Sequence, residues 1–281
     1  MQSHNPAFRN DRAFAQGGYA SFDTDRRSGG QAPRWGGSGA GQDVTPEQLQ
    51  EMYAQPAAGG PQTGRMTYDD VVVRTGALFA LLVASAATVW FVLPIGTAAA
   101  LAIPALLVAT GLGFWASISK KVRVGAMLAF AVLMGAALGG ISSLFELQFP
   151  GIVVQAVLGT MAAFGVMLVL YKTRVVRNSP KLTRFLAIAG GGYFVFLLVN
   201  LGVSIFTGAS AFDSPFGWLI GLFGVGLASF FLILDFDFVE QGVKNGLPQQ
   251  YAWRAAFGLL TTIVWLYIEM IRLLSILRGG E

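Results

Sequence analysis

Three carboxylates stand where the chain around them is apolar. Asp235 and Asp237 fall in Leu234-Asp235-Phe236-Asp237-Phe238-Val239-Glu240, late in one apolar run. Glu269 falls in Trp265-Leu266-Tyr267-Ile268-Glu269-Met270-Ile271-Arg272, late in the next. An ionisable side chain inside an apolar span is a candidate functional group in its own right. On a helix, Asp235 and Asp237 point to opposite sides. Asp237 shares a face with Glu240 and Lys244 and reads as a solvated helix end. Glu269 has Arg272 three residues on, within reach on one face. In the plainer reading that pair makes the last span tolerable in lipid. In the other, Glu269 lines a path with Asp235 as a second acid. Two carboxylates sharing a dry site cannot both ionise readily, so proton uptake would alter the contact between their helices. The ionised pair would offer oxygen ligands to a hard cation such as Ca²⁺. Asp237, Arg254 and Arg272 are the candidate gating partners.

The elements that carry these residues follow from composition. Of 281 residues, 54% are hydrophobic and only 12% charged, against about 25% charged in soluble domains. An integral membrane protein is expected. The net charge of +4 is too small and too dispersed in loops for nucleic acid. With no cysteine and one histidine, His4, the chain has no disulfide, thiolate metal site or buried histidine relay. It has no Walker loop, HExxH, GxSxG elbow or Rossmann fingerprint followed by an acid. No cofactor and no enzymatic activity are expected, and only Asp235 and Glu269 are formally available for carboxylate chemistry.

Residues 1–65 are rich in Gly, Ser, Arg and Gln and are expected to form a disordered tail. Thr45-Pro46-Glu47 is a signal for a short helix through Met52. Residues 66–281 form the membrane domain. Its seven apolar spans, 71–93, 95–118, 122–145, 151–171, 184–207, 215–240 and 250–277, each suffice for ~30 Å of hydrocarbon. The fold class is therefore all-α. Lys120, Lys121 and Arg123 follow span 2, and Lys172, Arg174, Arg177 and Lys181 follow span 4. The loops after spans 1, 3 and 5 have no Lys or Arg. The positive-inside rule then puts the N-terminus and the 6–7 turn in the cytoplasm. The C-terminus lies outside if span 7 crosses. Arg272 and Arg278 near its end leave a re-entrant segment as the alternative. Gly135-x-x-x-Gly139 and Gly217-x-x-x-Gly221 suit close helix packing or a tight gate. Pro104 inside span 2 removes a backbone donor and could kink that helix.

Depth bears on the carboxylates. Counted from the Asn245-Gly246 turn, Asp235 lies ~15 Å and Glu269 ~34 Å along straight helices. They meet only if 248–256 forms a separate interfacial piece. The same count puts Arg254 opposite Asp237.

At these residues the chain resembles the Bax inhibitor family, in a bacterial branch with a long tail. LDFDFVE places Asp235 at the family's aspartate late in span 6. LYIEMIRLL looks like the family's LYLDFINLF, with Glu269 at the second aspartate and Arg272 at the Asn. Gly113-Phe114-Trp115 and Gly140-Ile141-Ser142-Ser143 are similar too. Ser117 stands where the family has a latch arginine. The resemblance covers about residues 65–278. It implies seven helices with the last one central, in the cell membrane. It also implies a pH-sensing pair, Asp235 and Glu269, associated with a Ca²⁺ leak. The alternative it implies is a non-transporting regulator of another membrane protein, such as a membrane protease. Oligomeric state is not legible.

Overall fold

The structure, a computed structural model, describes residues 64–279. The expected tail over 1–65, apart from Gly64 and Arg65, and the short helix near Thr45 lie outside the described residues.

Seven long helices follow one another: α1 Tyr68–Val92, α2 Ile95–Ile118, α3 Val124–Gln148, α4 Ile152–Lys172, α5 Pro180–Thr207, α6 Gly217–Lys244 and α7 Tyr251–Gly279. All are long and apolar enough to cross a bilayer. The expected all-α fold with seven spans is the one found, and the chain is a multi-pass membrane protein. Most bounds agree with the apolar runs within a few residues. The exceptions are ends where polar residues extend a helix beyond its apolar stretch, as Lys181 does at the start of α5.

Local chemistry sets the ends. Thr67 caps α1: its hydroxyl accepts from the Asp70 N–H at 3.1 Å, and Asp70 Oδ2 accepts from the Thr67 N–H at 3.2 Å. Ser179 caps α5, with Pro180 in the first turn. Glu146, at the end of α3, accepts from the N–H groups of Gly151 (2.6 Å) and Val153 (3.1 Å) and so caps α4. Its negative charge also suits the positive end of that helix. Helix α2 runs unbroken through Pro104.

Helix α7 is the axis of the bundle. Its buried residues include Ala252, Ala255, Ala256, Leu259, Leu260, Ile263, Leu266 and Ile271. One side packs with α6 and α4 around Leu232, Ile233, Phe236 and Met167. The other packs with α1 and α3 around Leu78, Leu82, Phe130 and Met134. Helix α5 is the outer element, with Leu186 and Tyr193 its buried residues. The α1–α3 contact is very close. A Cβ on Gly135 would collide with the Leu82 carbonyl oxygen, and one on Gly139 would lie 2.5 Å from that of Ala86. The first glycine pair therefore serves packing. In the second, Gly217 backs onto Phe212, and Gly221 onto Leu273 of α7.

Helix α7 is continuous from Tyr251, directly after the turn. It is neither re-entrant nor preceded by a separate piece over 248–256. At 29 residues it is ~43 Å long, more than the ~30 Å of hydrocarbon in a bilayer.

Candidate functional site

Because α6 and α7 are each unbroken and run antiparallel on either side of the turn, the depth count applies as it stands. Asp235 faces Gly258 of α7: a Cβ there would lie 3.2 Å from Asp235 Oδ1. Thr262, one turn further on, presents its hydroxyl to the same carboxylate. Glu269 faces Gly224 of α6, where a Cβ would lie 2.6 Å from Glu269 Oε2. Gly224 and Asp235 are 11 residues apart, as are Gly258 and Glu269. At 1.5 Å per residue the two acids occupy levels ~16 Å apart along the bundle. The structure does not bring Asp235 and Glu269 into one site.

Glu269 is saturated. It is 1% exposed and accepts from the Tyr193 hydroxyl (2.8 Å) and from the Trp265 Nε1–H (3.1 Å). Arg272 Nη1 donates to both its oxygens, at 3.0 and 2.9 Å. The guanidinium also lies 4.5 Å from the centre of the Phe212 ring, a favourable cation–π distance. Phe196, Phe223 and Trp265 surround the Tyr193 ring, with centroids 5.8–6.2 Å away. Glu269 is thus bonded to side chains of α5 and α7 and backed by Gly224 of α6, in an aromatic setting, while the Arg272 side chain stays 25% exposed. The plainer sequence reading describes this residue.

Asp235 is the opposite case. Its Oδ2 is buried and has no hydrogen-bond partner among the described residues. One other buried side-chain oxygen shares that condition, Thr75 Oγ1 on α1. Thr75 lies eight residues above Thr67 and Asp235 nine above Lys244, so both are ~12–14 Å from the same end. Thr75 is on the face of α1 that packs against α7, between Val71 and Leu78. A buried polar atom left unpaired is destabilising, so such atoms mark sites with another purpose.

Asp237 and Arg254 belong elsewhere. Asp237 accepts from Asn178 Nδ2 at 2.7 Å and Gln241 Nε2 at 2.5 Å. Tyr171 donates to Glu240 at 2.5 Å, and Lys244 pairs with Glu240. This is a polar helix end under the 4–5 loop. Arg254 does not sit opposite Asp237 as counted. It turns to α2, donating to the carbonyl oxygens of Ser117 (2.8 Å) and Ser119 (2.9 Å). A cation there complements the negative end of that helix.

For Ca²⁺, which takes six to eight oxygens, neither acid has a shell. Among the described residues no three Asp, Glu, His or Cys gather. Glu269 is already neutralised by Arg272.

Sequence reasoning missed Thr75, Tyr193, Gly224, Gly258, Thr262 and Trp265. The two glycines had a legible signal, since each stands where a facing carboxylate needs room. Thr75 had none, because a threonine in an apolar helix ordinarily bonds its own backbone.

Fold and site together define a seven-helix membrane protein built around a central helix, with one buried acid, Asp235, facing it from α6 and another, Glu269, carried on it. The chain belongs to the Bax inhibitor 1 like family, whose model matches residues 5–279. None of the curated proteins matches it.

Proposed function

We propose that the protein is a pH-sensitive leak path for Ca²⁺ or another cation, in which Asp235 is the group that exchanges a proton. The carrying observation is the buried, unpartnered Oδ2 of Asp235. A buried carboxylate oxygen without a partner is free to take a proton or an ion. In this reading the gate is not a carboxylate pair. Glu269, Tyr193, Trp265 and Arg272 hold the far end shut as a fixed ionic tie. Thr262 and Thr75 offer hydroxyls near the Asp235 level. No catalytic step and no resident cofactor belong to it. Its setting is the cell membrane with the N-terminus in the cytoplasm, supported by the bases on the loops after α2 and α4. The leak that the family resemblance implies agrees with this reading.

Reconstitution into liposomes tests it. The folded protein should pass Ca²⁺ at a rate that changes with pH. Asparagine imitates the protonated acid, so Asp235→Asn should be locked at the acid-limit rate at every pH. The Glu269→Gln variant, if it folds, should keep its pH dependence.

The second reading, a non-transporting regulator bound to another membrane protein such as a protease, has one favouring feature. An apolar groove of about 470 Å³ between α5 and α6, lined by Ala189, Gly192, Phe196 and Ile220, is wide enough for side chains of a partner helix. No flux at any pH from folded protein would reject the leak and favour this reading.

A further inference from the structure

The segment between the tail and α1 is held in a way that neither the helical fold nor the carboxylates require. Met66 lies outside any helix yet is 1% exposed. Its N–H donates to the Leu247 carbonyl at 2.8 Å, and the Gln249 N–H donates to the Gly64 carbonyl at 2.7 Å. Arg65 and Pro248 face each other in an isolated antiparallel bridge. Residues 64–67 are thereby strapped across the α6–α7 turn.

The Met66 side chain fills a slot that a glycine leaves. A Cβ on Gly242 would lie 3.0 Å from its sulfur. Gly242, Val239 and Asp235 follow at helical spacing on one face of α6, so Met66 caps the column that leads inward to Asp235, ~10 Å away. Met66 belongs to the same buried apolar cluster as the residues around that column, including Leu232, Phe236, Val239, Ala252 and Ala255. An unbranched thioether suits such a stopper, because it fills irregular space and leaves without rearranging its neighbours. What anchors the strap from outside is polar: Gln249 Nε2 donates to Asp70 Oδ1 at 2.7 Å at an exposed position, and Arg74 pairs with Asp70 at 3.1 Å, both side chains half-buried. An exposed polar tie such as the first is weak.

We propose that Gly64–Thr67 is a strap whose Met66 plugs the path from this end of the bundle to Asp235, and that displacing it opens the path. The residues before Gly64 lead directly into the strap, so a force or partner acting on them acts on the plug. The proposal builds on the reading of Asp235 as the titrating group, but its test does not need an ion to pass.

The chain has no cysteine, so a single one reports cleanly. In purified full-length protein, Val239→Cys sits between plug and acid. A hydrophilic maleimide should label it slowly against Lys120→Cys on an exposed loop. Adding Met66→Gly should raise the rate at least ~10-fold, since labelling follows the open population when reclosing is fast. Gln249→Glu sets a like charge beside Asp70 on the surface, leaves the core alone, and should raise the rate at low salt and not at high salt. A Val239→Cys rate equal to that of Lys120→Cys, or unchanged in both second variants, overturns the plug. In liposomes, Arg65→Cys with Pro248→Cys, opposed in the bridge at disulfide spacing, should lower Ca²⁺ flux when oxidised and restore it on reduction. Labelling that responds while no variant conducts keeps the plug and sinks the leak.

Discussion

Asp235 and Glu269 are acids of the same class in neighbouring helices, and their surroundings assign them opposite work. Glu269 is a structural charge. Removing Arg272 would leave it buried without a counter-ion, which costs about 3–5 kcal/mol. Arg272→Met should therefore lower stability in detergent by about that much, measured by denaturant titration. The double variant Arg272→Met with Glu269→Gln should recover most of the loss, because the stranded charge goes with its partner. Independent, additive losses would contradict the tie. Asp235 should behave the other way. Its Oδ2 satisfies nothing, so Asp235→Asn should leave stability unchanged or raise it by about 1 kcal/mol while removing the pH response. A group that is unfavourable for the fold and needed for activity is the usual sign of a functional site.

At the scale of helices, close packing decides what can change. A side chain at Gly135 must displace the Leu82 backbone, which cannot swing aside as a rotamer does. Gly135→Leu should destabilise the bundle by about 3 kcal/mol or prevent folding, as overpacking does. Gly191, in the Gly-rich stretch of α5, has nothing within 4 Å of its would-be Cβ. Gly191→Leu should be neutral or slightly stabilising, since glycine is about 1 kcal/mol poorer than alanine in a helix. The thermal midpoints of the two variants compare them directly. The helices themselves were legible because a bilayer demands ~20 apolar residues in a row, and Pro94, Pro150 and Pro180 punctuate the runs. The identity of the acids was legible for the same reason. Their partners were not. Tyr193 reaches Glu269 across 76 residues of sequence, and whether α7 begins at the turn or after a break is a backbone matter. The depth count posed the right condition, and the unbroken start of α7 at Tyr251 resolves it against a shared site. Arg254 was misplaced for a related reason. The count gave its level along the axis but not its direction around the helix.

The two ends of the molecule are built differently, and that asymmetry predicts where it moves. At the end carrying residue 64, α7 is joined to its surroundings by the strap, by Gln249 with Asp70, and by Arg254 on two carbonyl oxygens of α2. These are mostly exposed polar contacts around turns. At the other end the ties are the buried Glu269 network and the Ser142–Tyr267 hydrogen bond of 2.7 Å. Local opening is drawn from regions whose hydrogen bonds are exposed and whose apolar contacts are few. The bundle should thus open at the strap end and hinge on the Glu269 end, with Asp235 between them. Hydrogen exchange at one fixed pH tests this without interference from intrinsic exchange rates. Comparing wild type with Asp235→Asn, amides of Met66, Leu247, Gln249 and the first turn of α7 should change protection. Those of Thr262 to Leu273 should not. A change spread evenly along α7 would mean that the helix moves as one rigid rod, and the division of labour between the two acids would then fail with it.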